Sequence, residues 1–147
     1  MLGAFLVACL GGGVLAAIAT SHSVATWYPT LAKPSWTPPG WLFAPVWTTL
    51  YVAMAVAGWR VWRRVGWGRA LTSFAVQLAL NVAWSFLFFG LRQPVLGMID
   101  IAALWLAIVV TLASFGKIDR PAAWLLVPYL AWVSFASALN LSIALHN

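Results

Sequence analysis

Aromatic side chains recur at helical spacing in three stretches of the sequence. Trp47 and Tyr51 stand four residues apart and together offer two rings, one N–H and one O–H. Two further stripes with steps of three and four are Gln77, Asn81, Trp84, Ser85 and Phe88, and then Pro128, Trp132, Phe135, Ala136, Leu139 and Asn140. Residues with these spacings share a helix face, so three faces could converge around a flat apolar molecule. The chemistry they offer is stacking, with a few polar contacts.

Catalytic constellations are missing from the 147 residues. The sequence holds two acids, Asp100 and Asp119, and two histidines, His22 and His146, which form no acid–base pair and no metal-ligand spacing. With Cys9 as the single cysteine, an intramolecular disulfide and a two-cysteine zinc motif are excluded. We therefore predict no metal site and no obligate cofactor.

The composition places these stripes in a lipid bilayer, because 64% of the residues are hydrophobic and only 7% are charged. A spanning helix needs about 20 apolar residues. Five runs qualify, at 2–20, 43–62, 70–90, 95–115 and 122–145, and the connections between them are too short for a second domain. The sequence thus predicts an all-α fold, in which residues 1–147 form one integral membrane domain of five transmembrane helices.

The charges predict an orientation. Eight basic residues against two acids give a net charge of +6. Six of the basic residues would share the side of the N-terminus: Arg60, Arg63, Arg64, Arg69, Lys117 and Arg120. The positive-inside rule then puts the N-terminus in the cytoplasm, with loop 21–42 and the C-terminus outside. Because the basic residues are scattered along helix ends, we predict no nucleic-acid partner.

The first loop contains the stretch WYPTLAKPSWTPPGW, from Trp27 to Trp41. Its prolines fix φ and make the loop stiff without a hydrogen-bonded ladder. Its tryptophans suit either the bilayer interface or the roof of an apolar cavity. Lys33, the one charge there, could meet a ligand carboxylate or a lipid phosphate. As a lid, the loop would act through Trp27, Tyr28, Lys33, Pro34, Pro38 and Pro39.

Four sequence blocks together resemble one known family. They are the loop stretch above, APVWTTLY from Ala44, LNVAWSFLFFG from Leu80 and PYLAWVSFASALN from Pro128. In order and spacing they are similar to the TspO/MBR family, which includes bacterial tryptophan-rich sensory proteins and the mitochondrial translocator protein, or peripheral benzodiazepine receptor. The resemblance implies a five-helix bundle, often a homodimer. It also implies a pocket under the first loop for protoporphyrin IX, haem and isoquinoline carboxamide or benzodiazepine ligands.

The resemblance also implies which residues contact the ligand. They are Trp36, Trp47, Tyr51, Asn81, Trp84, Phe88, Trp132, Phe135, Ala136 and Asn140. For the amides of Gln77, Asn81 and Asn140, hydrogen bonding between helices is the competing interpretation. At Ala136, a larger side chain should tilt its helix. Gly11, Gly12 and Gly13 are interpreted as packing positions or as a dimer face.

Three functions follow as hypotheses. The preferred one is a receptor or transporter that binds tetrapyrroles. The second is an enzyme for light- and oxygen-dependent porphyrin degradation, in which Trp47 and Trp132 would donate electrons. The third is a scaffold that contacts only lipid. The tail LNLSIALHN lacks the tyrosine and basic residue of the animal sterol pattern, which argues against cholesterol binding through that motif and, with the family resemblance, for a bacterial protein. Helical spans favour the inner membrane.

Asp100 is the one acid inside a predicted span, and such a carboxylate is a functional candidate. Its place near the outer end of the fourth helix, within reach of Arg92 or interfacial water, favours a structural polar contact instead. Trp59, Trp62 and Trp67 flank the basic cluster and are typical of an aromatic belt.

Overall fold

The computed structural model describes residues 2–147, and all the regular structure in that range is helical. The five long helices are α1 (Leu2–Thr26), α2 (Phe43–Val65), α3 (Arg69–Ser85), α4 (Pro94–Gly116) and α5 (Arg120–His146). A π-helical turn, Phe86–Gly90, extends α3, and two single 3₁₀ turns, Tyr28–Thr30 and Gly40–Leu42, lie in the loop after α1. The predicted all-α bundle is confirmed.

Four of these helices are long and apolar enough to cross a membrane: α1, α3 with its π turn, α4 and α5. The chain is therefore a multi-pass integral membrane protein. At 23 residues, α2 is about 34 Å long and could reach across a bilayer. Its last turns carry Arg60, Arg63 and Arg64, which lower its hydropathy. A fifth crossing by α2 stays a prediction.

The helices pack in a closed ring in the order α1, α2, α5, α4, α3. The core between them includes Met54, Val61, Leu71, Ile108 and Val133, all fully buried. We call the end of the bundle where α2 and α4 finish and α3 and α5 begin the basic end. The opposite end, which carries the loop after α1, is the loop end. The protein's orientation in the membrane remains the prediction made from its charges.

The first helix is longer than predicted, because α1 continues to Thr26 and the loop begins at residue 27 rather than 21. Four of the six residues at 21–26 are polar, but none is a helix breaker. Thr26 donates its hydroxyl to the carbonyl of His22 at 2.8 Å. Ser23 is buried and donates to the carbonyl of Phe89 at 2.6 Å, which satisfies both groups. Pro29 is the first residue that stops the helix.

Asp119 joins two helices at the basic end. Its side chain is fully buried, caps the first turn of α5 by accepting from the N–H of Ala122 at 3.2 Å, and forms ion pairs with Arg60 at 2.6 Å and Arg64 at 2.9 Å. The hydrogen bond from Arg60 is the main cause that holds the pKa of the Asp119 carboxyl below its ordinary value of 3.8. α2 and α5 are therefore clamped together at this end.

Two expectations about packing have different outcomes. Asp100 is buried and forms no ion pair within residues 2–147, so the expected contact with Arg92 is wrong, whereas the alternative contact with interfacial water stays a prediction. Of the three consecutive glycines at 11–13 in α1, Gly12 packs on Val82 of α3 and Gly13 packs on Tyr51 of α2, whereas nothing lies within 4 Å of a Cβ built on Gly11. Two of the glycines thus serve packing inside the bundle.

Candidate ligand-binding cavity

A cavity of about 500 Å³ lies between α1, α2, α3 and α5 in the half of the bundle nearest the loop end. Drug-sized and cofactor-sized ligands occupy cavities of this size. The lining residues, which are mostly aromatic or small, are Leu10, Gly13, Val14, Ala16, Ala17, Thr20, Ser21, Val24, Tyr28, Phe43, Ala44, Trp47, Thr48, Tyr51, Trp84, Ser85, Phe88, Phe89, Trp132, Phe135, Ala136, Leu139 and Asn140. α4 contributes none of them.

Trp47 is the centre of a cluster of rings on one side of the cavity. Its ring centroid lies 5.7 Å from that of Tyr51 and 6.4 Å from that of Trp132, which is nearly perpendicular to it. Trp132 in turn lies 5.6 Å from Phe135. Such edge-to-face and tilted pairs add about 0.5–1.5 kcal/mol each beyond the area they bury. The cluster therefore holds the wall formed by α2 and α5 in a fixed shape.

A buried chain of hydrogen bonds closes the cavity at its deep end. The hydroxyl of Tyr51 donates to Oδ1 of Asn81 at 2.5 Å, and Nδ2 of Asn81 donates to the hydroxyl of Tyr129 at 2.6 Å. That hydroxyl donates to Oε1 of Gln77 at 2.7 Å. Because every member finds a partner, the network stabilises contacts between α2, α3 and α5 rather than offering free groups to a ligand.

Trp84 and Asn140 form a second polar link, between α3 and α5. Nε1 of Trp84 donates to Oδ1 of Asn140 at 2.9 Å, and Nδ2 of Asn140 donates to the carbonyl of Pro94 on α4 at 2.8 Å. Both side chains also line the cavity. The interhelical hydrogen bonds considered for Gln77, Asn81 and Asn140 are thus all present.

The π turn at the end of α3 places two consecutive phenylalanines inside the bundle. Phe88 and Phe89 are both buried and both line the cavity, with ring centroids 4.7 Å apart. In an α-helix neighbours point about 100° apart, so one of the two would lie nearer the surface. The carbonyl of Phe89, one of the last in this helix and so without an intrahelical partner, accepts the hydroxyl of Ser23. The turn is therefore part of how the cavity is built.

Two buried polar groups in the cavity lining have no partner within the described residues. They are Nε1 of Trp132 and the hydroxyl of Tyr28. Burial raises the pKa of the Tyr28 phenol to about 12, so this group stays protonated and can donate. Leaving a buried donor unpaired costs about 1–3 kcal/mol. Neither atom is itself exposed on the cavity wall, so a ligand with acceptor atoms would recover that free energy once a small movement of the ring brought the donor to it.

The loop after α1 covers the loop end, but Tyr28 is its one residue in the cavity lining among those described. Trp27 packs on Phe88, with ring centroids 5.6 Å apart, and Trp36 packs on Phe135 at 5.4 Å. Nζ of Lys33 donates to the carbonyl of Tyr28 at 2.7 Å and lies 4.8 Å from its ring. Lys33 therefore ties the loop together, and its two expected roles, contact with a ligand carboxylate or with a lipid phosphate, stay predictions.

The prolines of the loop act through their carbonyls and their fixed φ. The carbonyl of Pro34 accepts both the N–H and the hydroxyl of Thr37, at 3.1 and 2.7 Å. The carbonyl of Pro39, which follows Pro38, accepts the N–H of Leu42 at 3.1 Å. These turns give the loop a shape without a strand. None of the three prolines lines the cavity.

The cavity has an edge between α1 and α2. Ala17 and Ser21 on α1 and Ala44 and Thr48 on α2 line the cavity and are also exposed. The two helices pack closely only in their deeper halves, where the ring of Tyr51 touches Gly13. The lining is therefore most open toward the surroundings of the bundle along this edge.

Eight of the ten residues expected to contact a ligand line the cavity, the exceptions being Trp36 and Asn81. The ring of Trp36 packs on Phe135, which separates it from the cavity. The amide of Asn81 is hydrogen-bonded within the chain that closes the deep end of the cavity. Sequence reasoning missed the side formed by α1, from Leu10 to Val24, together with Phe43, Ala44, Thr48 and Phe89. The small residues of α1 offered no aromatic stripe. Phe43, one helical turn before Trp47, could have been found by extending the spacing of the second helix.

Together the fold and the cavity define a class: a polytopic helical membrane protein with an aromatic-lined internal cavity under a proline-rich loop. The chain belongs to the TspO/MBR family, whose family model matches residues 5–146. It is 45% identical over 139 residues to the tryptophan-rich protein TspO of Chlorobaculum tepidum, which covers 92% of this chain and 88% of the relative.

Two further relatives widen the comparison. The tryptophan-rich protein TspO of Archaeoglobus fulgidus is 43% identical over 146 residues, covering 98% of this chain and 95% of the relative. The translocator protein of Bos taurus is 41% identical over 134 residues, covering 88% of this chain and 79% of the relative. The resemblance to the family is thus confirmed over nearly the whole chain.

Proposed function

We propose that this protein is a membrane receptor or transporter for a flat, mostly apolar ligand of the tetrapyrrole class, such as protoporphyrin IX or haem, held in the cavity below the loop after α1. Isoquinoline carboxamides and benzodiazepines, which are also ring systems with a few acceptor atoms, would use the same cavity. The observation that carries the proposal is the pairing of aromatic lining with two unpartnered buried donors, Trp132 Nε1 and the Tyr28 hydroxyl.

Three properties of the cavity support a ligand of this kind. Its volume of about 500 Å³ suits a molecule larger than a lipid head group. The rings of Trp47 and Trp132 on one side of the cavity and the ring of Trp84 on another give surfaces for stacking. The two free donors match carboxylate or carbonyl acceptors at the ligand's edge. Haem would be held by shape and stacking, since within residues 2–147 no three His, Cys, Asp or Glu side chains group as metal ligands.

The names of related proteins agree with a binding role. Relatives are called translocator protein in Bos taurus and tryptophan-rich sensory protein in Cereibacter sphaeroides, the latter 38% identical over 136 residues. Either a transporter or a sensor needs a ligand site. The cavity supplies the place for one.

The test is a titration of the purified protein in detergent with protoporphyrin IX in the dark, followed by quenching of tryptophan fluorescence. We expect saturable quenching with one site per chain. As a control, Ala136→Trp should fill the cavity and abolish saturation, whereas Ala102→Trp, on the exposed face of α4, should leave it unchanged. If wild-type quenching does not saturate, the binding proposal fails and a scaffold that contacts only lipid becomes the better hypothesis.

A second candidate function is porphyrin degradation driven by light and oxygen, favoured by the ring cluster around Trp47. In this hypothesis the indole of Trp47 gives one electron to a photo-excited porphyrin, which leaves an indole radical cation and a porphyrin radical anion. Dissolved oxygen, the oxidant, adds to the porphyrin radical anion, and one electron returns from that adduct to the indole, so that Trp47 is restored and the porphyrin carries both oxygen atoms. Trp132 and Tyr129, whose ring centroids both lie 6.4 Å from that of Trp47, are placed to share the resulting positive charge.

Illumination of the same titrated sample tests this candidate. Loss of porphyrin absorbance that needs both light and oxygen, and that Trp47→Phe abolishes while dark binding is kept, would support the enzyme. Trp105→Phe, outside the cavity, is the matched control. A stable spectrum under light would leave the receptor or transporter as the function.

A further inference from the structure

A second, smaller pocket lies at the basic end of the bundle and takes no part in the cavity described above. It has a volume of about 320 Å³ and is formed where α2 ends, α3 begins and α4 ends. Its lining residues are Val65, Gly66, Gly68, Arg69, Ala70, Ser114, Lys117 and Ile118. We call it the basic-end pocket. It combines two cations, one hydroxyl and an apolar wall.

Charge balance leaves these two cations without an internal anion. The sequence contains two acids in all. Asp119 is fully buried, and its two oxygens are taken by Arg60 and Arg64. Asp100 is 14 residues before Ser114 on the same helix, about 21 Å away along its axis. Arg69 and Lys117 therefore form no ion pair within residues 2–147.

The surroundings of the pocket place it at the level of lipid head groups. It sits at the ends of three long helices, and Trp67, between two of its glycines, is exposed, as is Val65. Exposed tryptophan next to basic residues is typical of the membrane–water interface. Anionic lipids attract basic residues at this level of the membrane. A guanidinium also matches phosphate with two parallel hydrogen bonds.

We propose that the basic-end pocket binds the phosphate group of an anionic phospholipid. Arg69 and Lys117 would contact the phosphate oxygens and the hydroxyl of Ser114 would donate to one of them. Val65, Ala70 and Ile118 would contact the glycerol and the start of the acyl chains. A free phosphate ion would use the cations but gain nothing from the apolar wall, so the lining favours a lipid.

Native mass spectrometry of detergent-purified, lipid-depleted protein, titrated with phosphatidylglycerol or phosphatidylcholine, tests the assignment. We expect one saturable phosphatidylglycerol per chain, at least tenfold tighter than phosphatidylcholine. The double variant Arg69→Gln/Lys117→Gln should bind phosphatidylglycerol with an affinity at least about tenfold lower. The double variant Arg63→Gln/Arg120→Gln removes the same charge from the same end but not from the pocket, and should bind like the wild type.

A third variant separates shape from charge and covers the case in which the double variant misfolds. Ser114→Leu keeps every charge but fills part of the pocket, so it too should lose the tight site. Equal losses in both double variants would overturn the proposal in favour of diffuse attraction. Competition by inorganic phosphate as effective as that by phosphatidylglycerol would overturn the lipid assignment. Unchanged binding in Ser114→Leu would overturn the location.

Discussion

The ring of Tyr51 lies directly against the backbone of Gly13, so that a Cβ built on this glycine would come within 2.8 Å of two ring carbons. Real Cβ atoms do not approach this closely, so the contact needs glycine. Tyr51 is also the first member of the hydrogen-bonded chain through Asn81, Tyr129 and Gln77. Gly13 on α1 thus positions Tyr51 and, through it, the hydrogen-bonded chain that closes the deep end of the cavity.

Replacing Gly13 by Ala should therefore destabilise the protein and weaken ligand binding. The added methyl group must push the Tyr51 ring away from its bond to Asn81, at a cost of about 1–3 kcal/mol. Thermal unfolding in detergent and the protoporphyrin titration measure the two effects. Gly11→Ala is the matched control, since nothing lies within 4 Å of the new atom. It should be neutral or stabilise by up to about 1 kcal/mol. Equal effects at both positions would contradict the packing argument.

Removing the amide of Asn140 should loosen α5. Asn140→Leu loses the bonds to Trp84 and Pro94 at nearly constant volume, which should cost about 1 kcal/mol because interhelical bonds in membranes average about 0.6 kcal/mol. The measurement is a double-mutant cycle with Trp84→Phe, in which the second change should cost little once Asn140 is gone. Ser137→Ala is the control, because its hydroxyl bonds only to the Val133 carbonyl of its own helix. Strict additivity would contradict the link.

The Asp119 clamp should make stability depend on acid pH. Its folded-state pKa is lowered below 3.8, so its contribution is fully present above the unfolded value and is lost as pH falls through the lower, folded value. Thermal unfolding measured between pH 6 and about pH 2.5 should show this loss in the wild type. Asp119→Asn keeps the helix cap but loses both ion pairs, so its stability should be lower at neutral pH and should fall less in acid.

A further variant separates the cap from the ion pairs. Asp119→Ala loses both, and should be about 1 kcal/mol less stable than Asp119→Asn. If Asp119→Asn were as stable as the wild type at pH 6, the ion pairs with Arg60 and Arg64 would contribute nothing. An equally steep loss in acid for Asp119→Asn would assign the pH dependence to another group.

The unpartnered N–H of Trp132 should matter for the ligand and not for the fold. Trp132→Phe removes the cost of an unpaired buried donor but also shrinks a ring that packs on Trp47 and Phe135, and because these two effects oppose each other the free energy of unfolding should change little. Affinity for protoporphyrin IX should fall about tenfold, the value of one lost hydrogen bond in a dry site. Trp105→Phe, whose indole bonds to Ser134 outside the cavity, should leave the affinity unchanged. Retained affinity in Trp132→Phe would mean that the ligand does not accept from this group.

The sequence predicted the helices and three sides of the cavity because those features depend on local patterns. Apolar length identified the long helices, and steps of three and four placed Trp47, Trp84 and Trp132 on inward faces. The side formed by α1 depends on contacts between its small residues and rings on other helices, such as the contact of Gly13 with Tyr51. Packing between distant parts of the chain sets these contacts, so no local pattern reveals them. The role of Asp119 was missed for the same reason, since its arginines lie about 60 residues earlier.

The π turn at Phe86–Gly90 has a consequence for how this cavity tolerates changes in chain length. A π turn holds one more residue than an α-helical turn, and here the N–H of Leu91 reaches back five residues to the carbonyl of Phe86 at 2.7 Å. Deleting Phe88 or Phe89 would let α3 close as a regular α-helix. It would also rotate whichever phenylalanine remained by about 100°. The helix would survive the deletion, while Ser23 would lose its acceptor and the cavity one of its two rings.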